Sequence, residues 1–109
     1  MNIIQKIESQ IKDNPILIYM KGTPESPSCG FSAQAVQALS ACGKKFAYIN
    51  VLENIEIRNE LPKYASWPTF PQLWINGELV GGCSIIIEML NNGELQKLIT
   101  SATKNKNMK

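Results

Sequence analysis

The sequence predicts an α/β domain in which a four-stranded mixed β-sheet is flanked by helices. A strand, a helix and a second strand follow one another over about 35 residues, the pattern of a right-handed βαβ unit with two parallel strands. Farther along the chain, Asn76-Gly77 stands between two short apolar runs and predicts an antiparallel hairpin. The 109 residues have the length of a single domain.

An amphipathic helix is predicted near the N-terminus. Four isoleucines recur there at helical spacing on one face: Ile3, Ile4, Ile7 and Ile11. The Asp-Asn-Pro sequence at 13–15 stops this helix, which therefore spans roughly residues 2–12. The next run, residues 16–20, is rich in β-branched and aromatic side chains and is bounded by that proline and Gly22. This run predicts a buried central strand.

A polar loop and a second helix follow this strand. Residues 21–28, with the sequence KGTPESPS, predict the loop. Small and apolar side chains then recur at helical spacing over residues 32–42, and Gly43 occupies the position after the helix that favours left-handed backbone. Cys29 therefore stands at or just before a helix N-terminus.

The middle of the chain adds a second strand and a third helix. Residues 46–51 predict a short strand, which completes the βαβ unit with the strand at 16–20. Residues 54–61 have a helical pattern, and Pro62 is expected to end or kink that helix.

The C-terminal part contains the hairpin and the last helices. Residues 72–75 and 78–80 form the two hairpin strands on either side of the Asn-Gly turn. Ser84 is positioned to cap a helix that runs through residue 90, and residues 93–99 add a further turn or two. We expect the domain to comprise residues 1–103, followed by a disordered basic tail at 104–109.

Composition and charge exclude several classes of function. The formal net charge is +2, but Lys104, Lys106 and Lys109 lie in the expected tail. Residues 1–103 then contain eight basic against nine acidic residues, a net charge of −1, which argues against a nucleic-acid-binding face. The chain contains no histidine, so Cys-His and Ser-His nucleophile pairs and His-ligated metal sites are excluded.

The apolar runs and the cysteines bear on location. No run approaches the ~20 apolar residues that span a bilayer, so we expect no membrane-spanning helix. The N-terminal pattern includes acidic residues and lacks the features of a secretory signal, which predicts a cytoplasmic protein. Three cysteines, an odd number, do not suggest a disulfide framework, and their pattern favours reactive or ligating thiols instead.

Four segments together point to a family. The motif CGFS occupies residues 29–32, Lys21 precedes it, and WPTFP at 67–71 and GGC at 81–83 follow it. In these segments and their order, over about residues 2–100, the chain resembles the monothiol glutaredoxins of the CGFS type, and looks closest to their short single-domain bacterial members. The resemblance implies a thioredoxin-like fold, in agreement with the predicted order of strands and helices.

Cys29 is the candidate reactive residue. A thiol at a helix N-terminus faces unpaired backbone N–H groups and the positive end of the helix dipole, which favour the thiolate and lower the pKa. Lys21 adds a positive charge nearby. The alternative is an inert buried cysteine. Ser32 stands where dithiol relatives have a second cysteine, so an internal disulfide between positions 29 and 32 is impossible.

The resemblance also implies a binding site for the tripeptide glutathione. It implies a cis bond between Phe70 and Pro71, which turns the Phe70 backbone toward the site, where it pairs with an extended tripeptide. The glycine pair ending at Gly82 allows close approach of the ligand. Backbone N–H groups of Cys83 and Ser84 at a helix start are then expected to receive the γ-glutamyl carboxylate.

Two cations belong to the same implied site. Lys21 and Arg58 are expected to bind the glycyl carboxylate, with ordinary solvated side chains as the alternative for both. This chain departs from many relatives, which have aspartate where it has Ser84. A side-chain contact from this position to the ligand's amino group is therefore not carried over.

The other two cysteines have different expected roles. Cys42 follows Cys29 by 13 residues along one helix, about 20 Å, which is too far to share a metal centre, so core packing is expected. Cys83 is expected to be a bystander near the pocket, with a glutathionylation site or a partner for Cys29 as alternatives. Trp67 and Trp74 are expected to be core or pocket wall.

The family resemblance implies a dimer-bridging [2Fe-2S] cluster. Iron–sulfur clusters are commonly held by four thiolates, and two Cys29 thiolates with two glutathione sulfurs supply four. The expected function is cluster storage, transfer and assembly by a homodimer, with BolA-like proteins and apo iron–sulfur proteins as partners. The alternative is a monothiol, glutathione-dependent thiol–disulfide oxidoreductase, in which Cys29 attacks a glutathionylated protein. A third class is an interaction module with a vestigial site.

Overall fold

A computed structural model of the chain describes residues 2–107. Within this part, the backbone forms five helices and four strands. In chain order they are α1 Ile3–Asp13, β1 Ile16–Met20, α2 Gly30–Ala41, β2 Ala47–Asn50, α3 Ile55–Ala65, β3 Gln72–Ile75, β4 Glu78–Gly81, α4 Cys83–Asn92 and α5 Glu94–Asn107. No helix in the described residues is both long and apolar enough to cross a membrane.

The four strands form one mixed sheet in the order β2-β1-β3-β4. Strand β1 pairs in parallel with β2, with Ile18 opposite Tyr48, and pairs antiparallel with β3, with Ile18 opposite Leu73. Strands β3 and β4 form the predicted hairpin, and both turn residues have positive φ angles, 51° at Asn76 and 79° at Gly77. The thioredoxin-like α/β fold with a mixed four-stranded sheet is thereby confirmed.

Each face of the sheet has its own core. All five residues of β1 are buried, and alternation along the strand directs Ile16, Ile18 and Met20 into one cluster with α2, α4 and α5. Leu17 and Tyr19 point into the other cluster, with α1 and α3. Helices on both faces explain why β1 is apolar at every position rather than at alternate ones.

Helix α3 extends farther than expected. Pro62 lies inside the helix, which continues to Ala65, and Ser66 ends it in left-handed backbone with φ 51°. A proline removes one backbone donor from the helix. The fully buried side chains of Ile57 and Leu61 hold the helix against the core, which offsets that loss.

The last two helices also differ from the expected bounds. Helix α4 begins at Cys83 and its N-cap is Gly82, so Ser84 is a first-turn residue and not the expected cap. Helix α5 runs to Asn107 and so continues past residue 103, where the domain was expected to end, and no glycine or proline interrupts the sequence there. The disorder expected for the tail at 104–109 stays a prediction. Residues 108 and 109 lie outside the described part of the chain.

Candidate functional site

The loop after β1 places Cys29 at the carboxyl end of the central strand. Its two ends approach each other, because Gly22 and Pro27 form an isolated antiparallel bridge and the Ser28 N–H donates to the Lys21 carbonyl oxygen at 2.9 Å. Gly22 has φ 94°, and a Cβ atom there would lie 2.6 Å from the backbone oxygen of Ser26. This tight loop leads directly into α2, and Cys29 is its N-cap residue.

The Cys29 sulfur caps the helix. Its Sγ atom accepts a hydrogen bond from the Ser32 N–H at 3.3 Å and lies 3.3 Å from Ser32 Oγ. The backbone of Cys29 is extended, with φ −151° and ψ 154°, as N-cap residues are. A sulfur atom in this position meets N–H groups that have no partner within the helix, as the sequence predicted.

These contacts favour the thiolate. Burial is the largest influence on the Cys29 thiol and opposes ionisation, but hydrogen bonds from the Ser32 side chain and from the Ser32 and Phe31 N–H groups outweigh it. The Lys21 charge adds a smaller contribution, so the pKa of Cys29 lies below its ordinary value. Cys29 is only partly buried, which excludes the inert buried cysteine as an alternative.

Ser32 is oriented to stabilise that thiolate. The residue is fully buried, and its Oγ accepts a hydrogen bond from the Lys21 N–H at 3.1 Å. With that acceptor position filled, the hydroxyl proton is free to turn toward the ionised sulfur of Cys29. The serine at the fourth position of CGFS therefore does more than replace a second thiol, because its hydroxyl can donate a hydrogen bond to the Cys29 thiolate.

A groove of about 1230 Å³ lies beside Cys29. Cys29 itself is not among the residues that line it, but Phe31, two residues later in α2, lines it and is 67% exposed. The other lining residues come from the loop after β1, α2, α3, the segment before β3, and the start and body of α4. They include Lys21, Gln34, Arg58, Asn59, Pro62, Trp67, Pro68, Thr69, Phe70, Pro71, Gly82, Cys83, Ser84, Ile87, Glu88, Asn91 and Asn92.

The wall before β3 is held by a buried amide. Gln72 is fully buried; its Nε2 donates to the Trp67 carbonyl oxygen at 3.0 Å, and its Oε1 accepts from Trp74 Nε1 at 3.2 Å. The Phe70–Pro71 peptide bond is cis, as the resemblance implied. Trp74 thus belongs to the core, whereas Trp67 is a groove wall.

The indole N–H of Trp67 is buried and has no hydrogen-bond partner among the described residues. It lies close to Gly82, where an added Cβ atom would be 3.5 Å from Trp67 Nε1 and 3.3 Å from the Pro71 carbonyl oxygen. Glycine at this position therefore leaves open the space between the start of α4 and the segment before β3.

Helix α4 directs free backbone donors into the groove. The first N–H that bonds back to the N-cap belongs to Ile86, which donates to the Gly82 carbonyl oxygen at 3.0 Å. Gly82 has no side chain that could accept a hydrogen bond from the first turn. The N–H groups of Cys83 and Ser84, which precede the first bonded turn, therefore receive no side-chain cap. The start of α4 is therefore suited to bind an anion.

The structure brings the seven residues assigned to glutathione together on this one groove: Lys21, Arg58, Phe70, Pro71, Gly82, Cys83 and Ser84. Their individual roles toward the ligand stay predictions. The sequence analysis missed Gln34 and Glu88, which also line the groove. Helical spacing is the signal that could have found Glu88, because it lies one turn after Ser84 on the same face.

The three cysteines have distinct environments. Cys42 is 5% exposed and its Sγ donates to the Ala38 carbonyl oxygen at 3.6 Å, which confirms its place in the core. The Cys83 Sγ donates to Gln34 Oε1 at 3.4 Å. Burial, and next the nearby charge of Cys29, raise the pKa of Cys83, so the two thiols are neighbours with opposite tendencies to ionise. Within the described residues, no group of three or more cysteine or acidic side chains is arranged to hold a metal ion.

The comparisons with known proteins agree with this geometry. The family model described as Glutaredoxin matches residues 16–80. The chain is 76% identical over 105 residues to "Glutaredoxin 4" of Buchnera aphidicola subsp. Schizaphis graminum, covering 96% of this chain and 98% of the relative.

Two solved structures are similar in fold. The solution structure of reduced poplar apo GrxS14 has a TM-score of 0.79 and 40% sequence identity, covering 93% of each chain. The crystal structure of a buckwheat glutaredoxin–glutathione complex has a TM-score of 0.80 at 21% identity, covering 92% of this chain and 89% of that one. From the family match and the high identity to the Buchnera relative, we conclude that the chain belongs to the glutaredoxin family.

Proposed function

We propose that this chain binds glutathione and uses it, with Cys29, to hold a [2Fe-2S] cluster between two copies of the protein as cargo for transfer to apo iron–sulfur proteins. The observation on which the proposal rests is a thiol with a lowered pKa at a helix start, placed beside a groove lined with cations and free backbone N–H groups.

The charges in the groove suit glutathione. The tripeptide has two carboxylates, and the groove offers two kinds of anion site: the side chains of Lys21 and Arg58, and the N–H groups at the start of α4. The buckwheat glutaredoxin, a fold neighbour, was crystallised with glutathione. Binding in this groove would place the ligand's sulfur beside Cys29.

The donor set suits a shared cluster. A soft iron–sulfur cluster needs thiolate ligands, commonly four, and Cys29 is the one cysteine of the chain with a lowered pKa. Cys42 is buried in the core and Cys83 resists ionisation. Two Cys29 thiolates and two glutathione sulfurs would complete the shell, and such a cluster is exchangeable because half of its ligands are small molecules.

The partners follow from the same proposal. The cluster-bound form would be a homodimer, apo iron–sulfur proteins would receive the cluster, and a BolA-like protein would be an alternative partner in place of the second copy. The cytoplasmic location expected from the sequence is part of this proposal.

Anaerobic reconstitution with iron, sulfide and glutathione, followed by visible absorption, tests the cluster. We expect Cys29→Ser to abolish the absorption while the thermal unfolding transition persists, because a hydroxyl is a poor ligand for iron in a cluster. Cys42→Ala is the matched control and is expected to retain the cluster, because Cys42 lies in the core. Undiminished absorption in Cys29→Ser would refute the proposal.

The lowered pKa of Cys29 also favours a second function, glutathione-dependent oxidoreduction. The Cys29 thiolate would attack the glutathione sulfur of a mixed disulfide, releasing the protein thiolate and leaving glutathione bonded to Cys29. A second glutathione thiolate would then attack that sulfur, forming oxidised glutathione and restoring the Cys29 thiolate. Turnover of a glutathione mixed disulfide without cluster assembly would favour this function over the carrier.

A further inference from the structure

The groove contains one acidic side chain among its described lining residues, and it is Glu88. The other charged lining residues are the cations Lys21 and Arg58. Glu88 is exposed, and within residues 2–103 the ion pair is Lys63 with Glu60, so no cation of that part of the chain pairs with the Glu88 carboxylate. A single negative charge in a groove that otherwise attracts anions calls for a positively charged group on the ligand.

Helix geometry places that charge near the anion site of α4. Glu88 follows Ser84 by four residues, so the two share one face of the helix and both line the groove. Side chains on a helix slant toward its N-terminus and cover the turn before their own Cα atom. The Glu88 side chain therefore extends over the turn that contains Ser84, whose small, uncharged side chain leaves room for it.

A γ-glutamyl group has the matching arrangement of charges. Its carboxylate and its ammonium are attached to the same carbon atom. When the carboxylate accepts hydrogen bonds from the Cys83 and Ser84 N–H groups, the ammonium lies within a few ångströms of the start of α4. Ser84 offers this ammonium no charge, and the nearest acidic side chain along the helix face is Glu88.

We infer that Glu88 binds the α-ammonium of the ligand's γ-glutamyl residue and thereby selects γ-glutamyl peptides over analogues without that amine. The inference rests on the proposed binding of glutathione in this groove. It assigns to Glu88 a role in specificity and none in the chemistry at Cys29.

A ligand-and-residue cycle tests the inference. Glutathione and an analogue in which a glutaryl group replaces the γ-glutamyl residue, and which therefore lacks the amine, are titrated into the reduced apo protein. Binding is followed by the amide chemical shifts of Cys83 and Ser84. The wild type is compared with Glu88→Gln and with Glu78→Gln, the charge-matched control. Glu78 is exposed in β4, at the hairpin end of the sheet opposite the carboxyl end of β1.

We expect Glu88→Gln to weaken glutathione binding about twofold to fivefold, the range for an exposed ion pair, and to leave the affinity for the glutaryl analogue unchanged. Glu78→Gln is expected to alter neither. Equal affinity of the wild type and Glu88→Gln for glutathione, or an equal loss with both ligands, would overturn the assignment of Glu88. If the wild type bound neither ligand, the proposed glutathione site itself would be refuted, and the assignment with it.

Discussion

Ser32→Ala removes the hydroxyl that connects β1, α2 and the reactive thiol. Two hydrogen bonds meet at its Oγ: the Lys21 N–H donates to it at 3.1 Å, and the Cys29 sulfur lies 3.3 Å away. A net ~0.5–1.5 kcal/mol is typical of one hydrogen bond, so losing both is expected to lower the free energy of unfolding by about 1–3 kcal/mol. Denaturant unfolding measures this loss.

The same substitution raises the pKa of Cys29, because the Ser32 side chain supplies the largest of the contributions that favour the thiolate. The pH dependence of Cys29 alkylation, resolved from that of Cys42 and Cys83 by mass spectrometry of the modified peptides, reports this pKa. We expect the alkylation profile of Ser32→Ala to move toward higher pH.

The pKa difference also makes the loss of stability depend on pH. A thiol whose pKa is lower in the folded than in the unfolded state adds stability that is complete above the unfolded pKa and is lost as pH falls through the folded pKa. Ser32→Ala removes part of this contribution, so its deficit in unfolding free energy is expected to be larger at alkaline than at acid pH.

Ser40→Ala is the matched control for these measurements, because Ser40 lies on the exposed side of the same helix. Ser40→Ala is expected to leave unchanged both the pH profile of Cys29 alkylation and the pH dependence of the free energy of unfolding. An alkylation profile of Ser32→Ala that coincides with the wild type would refute the role of the Ser32 hydroxyl in stabilising the thiolate.

Two further predictions concern the core cysteine and the groove. Cys42→Ala is expected to lower the free energy of unfolding by about 1 kcal/mol, because it leaves a small cavity in the core while the cluster is retained; loss of the cluster at unchanged stability would contradict this. Lys21→Glu is expected to weaken glutathione binding strongly in calorimetry, because it replaces attraction by repulsion at the ligand's carboxylate, and an unchanged affinity would return Lys21 to an ordinary solvated side chain.

The parts of the fold that the sequence predicted well have strong local signals. Strand β1 was predicted with its observed bounds, because a short apolar run between a proline and a glycine has few alternatives. The hairpin was predicted from Asn76-Gly77, since the turn needs two positive φ angles that these residues tolerate.

Element ends were harder to predict where tertiary contacts decide them. Ser84 has the side chain of a good cap, but α4 begins at Cys83, and its N-cap Gly82 has no side chain to donate or accept a hydrogen bond. Pro62 was expected to end or kink the helix, yet α3 continues through it to Ala65, held by the buried side chains of Ile57 and Leu61. Neither outcome can be derived from local preference alone.

The candidate site likewise contains residues that could be predicted from the sequence and residues that could not. Cys29 at a helix start follows from the chain itself, and the residues assigned to glutathione came from the family resemblance. Gln34 was missed because α2 and α4 are distant in sequence, and only the folded chain shows that Gln34 meets Cys83 at the groove. Glu88 was missed although its spacing of four residues from Ser84 places both on one helix face.

The most direct test of the central claim measures the assembly state together with the cluster. Sedimentation of the apo protein is expected to show monomers, whereas the reconstituted protein should be a dimer with about two irons, two labile sulfides and two glutathiones held without covalent bonds to the protein. Anaerobic gel filtration in glutathione-free buffer should then bleach the cluster and return monomers together, by mass action. A monomer that keeps its cluster in that buffer would contradict the account, because cysteines of the chain such as Cys83 would have to complete the ligand shell.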